Sequence, residues 1–228
     1  MTYKVQHITN PKKLQYFVFN PTTLTIHSTG NKTSTAQNER DYLNSSSNTS
    51  STSFHIVVDD RQAIECLPLT MRTYHATDGS GPKSGNATSL SIEICESGNR
   101  LQTLRNAAWT AAKVLRERGW GVGKLRQHHD WHNKDCPRIL RNAEQGYTWD
   151  WFVNQVEKEL KEDNTMAKTK FPDVPDNHWA ADRIAQMADL GLIKGFEDGT
   201  YKPSQYMSRA EMATVFGRFY DLLKKEGG

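Results

Sequence analysis

Ser89-Leu90-Ser91-Ile92-Glu93-Ile94-Cys95 is the stretch from which the rest of the chain can be placed. In an extended backbone its strict alternation sends Leu90, Ile92 and Ile94 to one face and Ser91, Glu93 and Cys95 to the other. So apolar a strand belongs in an interior, where a carboxylate such as Glu93 must be paired or used chemically. A long helix follows over residues 101–118. Leu101, Leu104, Ala108, Ala111 and Leu115 recur at three- and four-residue spacing, and Gly119 offers a stop. Its alanines permit close packing on a sheet.

Working outward, Thr22-Thr23-Leu24-Thr25-Ile26 reads as a short β-branched strand ending at His27, with a turn over Ser28-Thr29-Gly30-Asn31. Residues 36–43 suit a short helix, and 44–53 are almost pure Ser, Thr and Asn, the composition of a mobile loop. Residues 54–59 and 63–67 form a hairpin about Asp60-Arg61, with His55 expected to be packed and hydrogen-bonded. Residues 148–162 give an amphipathic helix with Trp149, Phe152, Val156 and Leu160 on one stripe. The fold class is therefore α/β, a mixed central sheet flanked by helices.

Beyond residue 162 the periodicity stops. Residues 163–170 read as a linker and 171–228 as a small helical unit. Its first helix is capped by Asp176 or Asn177, runs through Trp179, Ala180, Ile184 and Met187, and stops at Gly191. Its second is opened by a capping box, Ser208 with Glu211, and continues through Val215, Phe216 and Phe219.

Composition narrows the function classes. With 36% hydrophobic residues and a mean hydropathy of −0.74, the chain is polar, yet six Trp and eight Phe can build a core. No stretch approaches the roughly 20 apolar residues that span a bilayer. Residues 1–13 lack the apolar run of a secretory signal, so the expected setting is the cytoplasm or release by a route the sequence does not encode. Net charge +3 is a mixed-charge surface, and no basic run with interleaved aromatics favours nucleic acid. Three cysteines do not make a disulfide framework; Cys66 and Cys95 lie in apolar runs, whereas Cys136 lies in a polar one.

That polar run is Gln127-His128-His129-Asp130-Trp131-His132-Asn133-Lys134-Asp135-Cys136-Pro137. Histidine and cysteine at this density suggest zinc, which prefers imidazole nitrogen and thiolate and leaves one position for water when three protein ligands hold it. His128 and Cys136 would come from this segment and His27 from the distant strand end, although spacing alone leaves His129 and His132 open beside His128. Glu93 then suits a general base, and Lys134, on the same side as Cys136 if 134–136 are extended, suits an oxyanion stabiliser. Together these parts describe hydrolysis of an amide.

Five separated pieces occur in order: residues 26–31, 54–59, His75-Ala76, 91–95 and 127–137. Together they resemble the zinc-dependent N-acetylmuramoyl-L-alanine amidases of the type-2 amidase and peptidoglycan-recognition-protein family, phage endolysins especially. The resemblance covers roughly residues 20–160. It implies the type-2 amidase fold and one Zn2+ on His27, His128 and Cys136, with Glu93 and Lys134 catalytic. His75 and His129 would line the substrate, bacterial peptidoglycan cut between N-acetylmuramic acid and L-alanine. A non-catalytic peptidoglycan binder and a zinc peptidase acting within the stem peptide are the rival readings.

Phe171-Pro172-Asp173-Val174, Trp179-Ala180, Gly191-Leu192-Ile193, Gly195, residues 198–201 and Ser208-Arg209-Ala210-Glu211 resemble an S-layer homology motif. That resemblance implies a module binding an anionic secondary cell-wall polymer, with Arg209 and Glu211 at the contact. A single motif, unable to bury its own face, implies self-association. The division expected is thus a catalytic domain over 1–162, a linker over 163–170 and a wall-binding module over 171–228. The whole reads as an endolysin held in the host cytoplasm until a membrane lesion releases it to the wall.

Overall fold

In the computed structural model, which describes residues 1–15, 19–164, 169–175, 178 and 180–226, the alternating stretch becomes a strand inside a six-stranded sheet. The strands are β1 (Thr2–Val5), β2 (Thr23–Ser28), β3 (Ile56–Val58), β4 (Gln62–Glu65), β5 (Ser89–Ile94) and β6 (Leu125–Gln127). Their order is β1-β4-β3-β5-β2-β6; β3 and β4 run antiparallel as the expected hairpin, and every other neighbouring pair is parallel. The helices of this part are α1 (Ala36–Asn44), α2 (Gly85–Thr88), α3 (Arg100–Glu117), α4 (His129–His132), α5 (Arg138–Arg141) and α6 (Trp149–Asn164). The mixed sheet with flanking helices is the architecture expected from the sequence.

The two faces of the sheet are chemically unlike, and the alternation explains why. Leu24, Ile26, Ile56, Val58, Leu90, Ile92 and Ile94 point to one side, where they pack with Leu104, Ala108, Ala111 and Leu115 of α3 and Phe152 and Val156 of α6. On the other side a smaller cluster, Val57, Ile64, Cys66 and Cys95, lies under Ala36 and Leu43 of α1. The residues of β2 and β5 on that side are Thr25, His27, Ser91 and Glu93. One half of this face is thus apolar core and the other half is polar.

Several local expectations shift. His27 sits within β2 rather than at its end, because β2 is paired on both edges and continues to Ser28. β1 and β6 carry no alternation to announce them; only one residue of β1 is even half-buried, and β6 has three residues. α6 runs to Asn164, two residues into the expected linker. The Ser/Thr/Asn stretch at 44–53 has no regular structure beyond Asn44, the last residue of α1, but buried Asn48 and Ser53 anchor it. His55 is fully buried as expected: Nε2 donates to the Met71 carbonyl at 2.8 Å, and Nδ1 lies 3.0 Å from Ser91 Oγ.

The chain divides into two compact units, Met1–Leu160 and Lys161–Gly228. In the second, α7 (Ala181–Asp189) is followed by Gly191 at φ +69°, a conformation that favours glycine. The expected cap at Asp176 or Asn177, and Trp179, lie outside the described residues. α8 (Arg209–Glu226) opens with both arms of the expected capping box, Glu211 N–H to Ser208 Oγ at 3.2 Å and Ser208 N–H to Glu211 Oε2 at 2.7 Å. Phe171, Val174, Ala181, Ile184 and Ala188 form a small core of its own. Among the described residues no helix is long and apolar enough to cross a membrane.

Burial pushes the His55 imidazole down to about 3, against a weaker opposing pull from the Met71 carbonyl. The unfolded chain therefore binds a proton below its usual pKa that the folded chain refuses, so His55 lowers stability as pH falls from about 6.5 toward about 3. In His55→Gln, the slope of unfolding free energy against pH between 6 and 4 should decrease by about 1.4 kcal/mol per pH unit. Urea titrations across that range would reveal it, and an unchanged slope would show that His55 is not held neutral.

Candidate metal centre and catalytic cleft

Strand register assembles the centre. In the parallel pairing of β2 with β5, His27 lies beside Glu93, although 66 positions separate them in sequence. On the other edge Ile26 pairs with Gln127 of β6, so the next residue, His128, emerges beside His27; its N–H reaches the Ile26 carbonyl at 3.3 Å. Cys136 is brought in from the following turn. Its carbonyl accepts from His129 N–H at 3.0 Å, and its Sγ lies 3.5 Å from the backbone nitrogen of Ser28. All three residues are buried, and their ligand atoms lie within 4.8 Å of one another.

A chain of hydrogen bonds that starts at a backbone carbonyl sets the tautomers of His75 and His27. His75 Nε2–H donates to the Ser89 carbonyl at 3.1 Å, leaving its Nδ1 to accept from His27 Nε2–H at 2.9 Å. His27 Nδ1 is therefore an unprotonated lone pair. His128 Nε2 lies 3.1 Å from the Thr77 hydroxyl, and the tautomer that donates from Nε2 to that oxygen leaves Nδ1 bare as well. These two Nδ1 atoms face each other at 3.1 Å, with Cys136 Sγ 3.7 Å from that of His27. Two lone pairs at that separation repel unless a proton or a cation lies between them.

A proton is the disfavoured choice. Burial holds His27 well below its usual pKa, with His75, His128 and Lys134 adding to the effect, and burial also pushes His75 and His128 down to about 4. Burial and the Glu93 charge push the Cys136 thiol up to about 12. A divalent cation relieves both, drawing the lone pairs inward and releasing the thiol proton. Two imidazole nitrogens and one sulfur are a donor set that fits a borderline-soft metal.

The ligands border a cavity of about 310 Å3, also lined by His75, Glu93 and Lys134. Glu93 Oε1 lies 3.9 Å from His27 Nδ1, a contact with a neutral ring rather than an ion pair. Burial pushes the Glu93 carboxyl up to about 8, the Glu39 charge adds to this, and Lys134 opposes it. His75 is 5% exposed and engaged at both ring nitrogens, so it orients His27 from a place in the cavity lining. His129 is not among the residues lining the cavity; its ring Nδ1 lies 3.3 Å from the Lys134 carbonyl and pins the turn that carries Lys134 and Cys136. His132 is exposed.

Two supports escaped the sequence reading. Glu96, buried at the end of β5, accepts from Gly30 N–H at 3.0 Å and from Arg138 through Nε at 2.9 Å and Nη2 at 2.5 Å. Burial alone would raise this carboxyl, but Arg138 outweighs it and holds Glu96 below its usual value. The pair ties the loop after His27 to the helix after Cys136; its only sequence signal is a second carboxylate three residues past Glu93. Trp131 donates from Nε1 to Thr25 Oγ1 at 2.8 Å, fastening α4 to β2. It lies over Gly85, where a Cβ would come within 2.7 Å of both the indole ring and Ala76 Cβ.

In the second unit, Glu211 is engaged in the capping box, so its carboxylate serves the helix start. Arg209 is exposed on the first turn of α8. Lys194, Lys202 and Arg218 line a separate cleft of about 350 Å3.

Residues 18–139 match the family described as N-acetylmuramoyl-L-alanine amidase, and residues 170–213 match the S-layer homology domain. The chain is 43% identical over 143 residues to N-acetylmuramoyl-L-alanine amidase XlyB of Bacillus subtilis (strain 168), covering 60% of this chain and 42% of that protein. It is 33% identical over 222 residues to N-acetylmuramoyl-L-alanine amidase CwlA of a Bacillus species, covering 90% of this chain and 86% of that protein. Among solved structures, the catalytic domain of XlyA aligns with TM-score 0.62 and 29% identity over 68% of this chain and 99% of that one. The chain spans about half the length of the first curated Bacillus subtilis relatives it matches, 42% and 52%. A family match across more than half of its 228 residues, joined to the CwlA similarity over nearly the whole chain, places this protein in the N-acetylmuramoyl-L-alanine amidase family.

Proposed function

We propose that the protein is a zinc-dependent peptidoglycan hydrolase of the endolysin kind. It cleaves the amide between the lactyl group of N-acetylmuramic acid and L-alanine of the stem peptide. Residues 1–162 would carry the chemistry, 163–170 the connection and 171–228 the attachment to the wall. The observation that carries this reading is the pair of bare Nδ1 atoms, 3.1 Å apart beside the Cys136 sulfur, in a cavity that Glu93 and Lys134 share.

His27, His128 and Cys136 match the ligand types zinc favours and leave its fourth position open. Bound there, zinc supplies Lewis acidity toward a water and toward the amide oxygen. The chain's own groups account for the remainder. Glu93, whose carboxyl burial pushes up to about 8, in its ionised form takes the proton of the attacking water and delivers it to the departing alanine nitrogen as the C–N bond breaks. Lys134, at the cavity edge, offsets the negative charge that grows on the amide oxygen. His75 keeps the His27 lone pair aimed inward, and burial keeps water from competing for it.

In the second unit, Arg209 would meet an anionic secondary wall polymer, a reading supported by Lys194, Lys202 and Arg218 in the lining of the same unit's cleft. Glu211, which caps the helix and also lines that cleft, would stand at the same contact. α8 leaves Met212, Phe216, Phe219, Tyr220 and Leu223 between 44% and 64% exposed, an apolar stripe that supports self-association through this module.

Mass spectrometry of digested wall should find free lactyl carboxylate and new N-terminal L-alanine; new ends elsewhere in the peptide would instead identify a peptidase. Chelation should abolish lysis and added zinc restore it, whereas lysis that survives chelation would exclude the zinc mechanism. Cys136→Ser should lower turnover by more than the roughly 10–100-fold that outer-shell changes cost, while circular dichroism stays unchanged. In sedimentation, the full chain should associate with rising concentration and Phe216→Glu should not; a monomer at all concentrations would remove self-association.

A further inference from the structure

Lys13 is fully buried, yet among the described residues no carboxylate pairs with it. Its ammonium donates to three neutral oxygens, Asn48 Oδ1 at 2.8 Å, the Ser50 carbonyl at 2.5 Å and the Thr52 carbonyl at 3.1 Å. All three acceptors lie in one loop, and an ammonium has three protons, so its donor capacity is fully used there. Burial pushes its pKa down. An ammonium with only dipoles for company is an expensive way to hold a loop.

The loop has no cheaper means. Between Asn44 and Ser53 it has no apolar side chain, so hydrophobic packing cannot set its shape. Polar anchors do so instead. Asn10 Nδ2 donates to the Ser45 carbonyl at 2.8 Å and to the Asn48 carbonyl at 3.2 Å, and Asn44 Oδ1 accepts from Thr9 N–H at 2.7 Å. Lys13 completes this lacing at the loop's far half. Asn48, Ser50 and Thr52 also line the 310 Å3 cavity that contains the candidate ligands. The residues that Lys13 gathers are therefore a wall of the cleft, one rich in hydroxyl and amide groups.

We propose that Lys13 is a specificity-positioning residue, whose buried ammonium shapes residues 48–52 into the wall that grips the polar glycopeptide away from the scissile amide. This rests on the cleft being the peptidoglycan-cleaving site. Lys13 reaches neither the ligands nor Glu93 by any hydrogen bond, so its influence falls on substrate binding. Loss of one or two substrate hydrogen bonds at about 1 kcal/mol each corresponds to roughly a tenfold rise in KM.

The test uses the full-length zinc-loaded protein, a soluble glycan-peptide substrate, and Lys13→Met, which keeps the stem and removes every donor. KM should rise roughly tenfold, with kcat within about twofold. Zinc affinity, measured by competition with a chelator, should stay unchanged, and amide exchange at residues 45–53 should accelerate. Lys13→Gln, which restores two donors, should fall between; if Lys13→Met fails to fold, Lys13→Gln is judged by the same KM-against-kcat criterion. Unchanged KM despite faster exchange, a fall in kcat alone, or weakened zinc binding would each overturn the proposal. A wild-type protein inactive on this substrate would overturn it together with the reading of the cleft, which the wild-type control reports separately.

Discussion

The centre depends on the pairing of β2 with a parallel neighbour on each side. From β5 this pairing fixes Glu93 beside His27, and from β6 it delivers His128 to the same place. Register in a sheet is all or nothing, because a slip of one residue turns every side chain to the opposite face. Leu24, Ile26, Leu90 and Ile92 on the packed face therefore hold His27 and Glu93 on the open one. The same alternation that buries the core faces the chemistry outward, and the apolar face stabilises a register that the polar face alone would leave weakly specified.

Around that floor, polar contacts do what packing cannot. The segment from 128 to 137 is rich in charge and poor in apolar residues. Its shape comes from the His129 backbone bond to the Cys136 carbonyl, from Trp131 reaching Thr25, and from the Glu96–Arg138 pair just beyond. The first closes the segment on itself, and the other two tie it to β2 and to the chain just past β5. The proton arrangement is equally local: one backbone carbonyl, that of Ser89, orders His75, and His75 orders His27. Burial then keeps both rings neutral and leaves that of His27 receptive to a cation.

The parts of this structure that follow a period were legible in the sequence. Ser89–Ile94 alternates, α3 and α6 repeat at helical spacing, and Ser208 with Glu211 closes its box locally. β1 and β6 were not, since partners hold them and their own residues show no pattern. The histidine-rich segment announced a metal, but spacing could not choose among His128, His129 and His132; the sheet register distinguishes them by position. The role of His75 in orienting His27 was not legible, because sequence gives no view of which ring nitrogen faces which acceptor. Lys13 offered no signal at all, for a lysine in a polar N-terminal stretch reads as solvated surface.

The split character of the sheet's second face has an architectural consequence. α1 closes only the part over β3 and β4, so the boundary between core and cleft runs through the middle of a single face. The strands that carry His27 and Glu93 are thus fixed by their far side, while one wall of the cleft, at Asn48, Ser50 and Thr52, belongs to a loop outside the apolar clusters. A change in that loop alters one wall of the cleft without disturbing the apolar contacts that hold its floor.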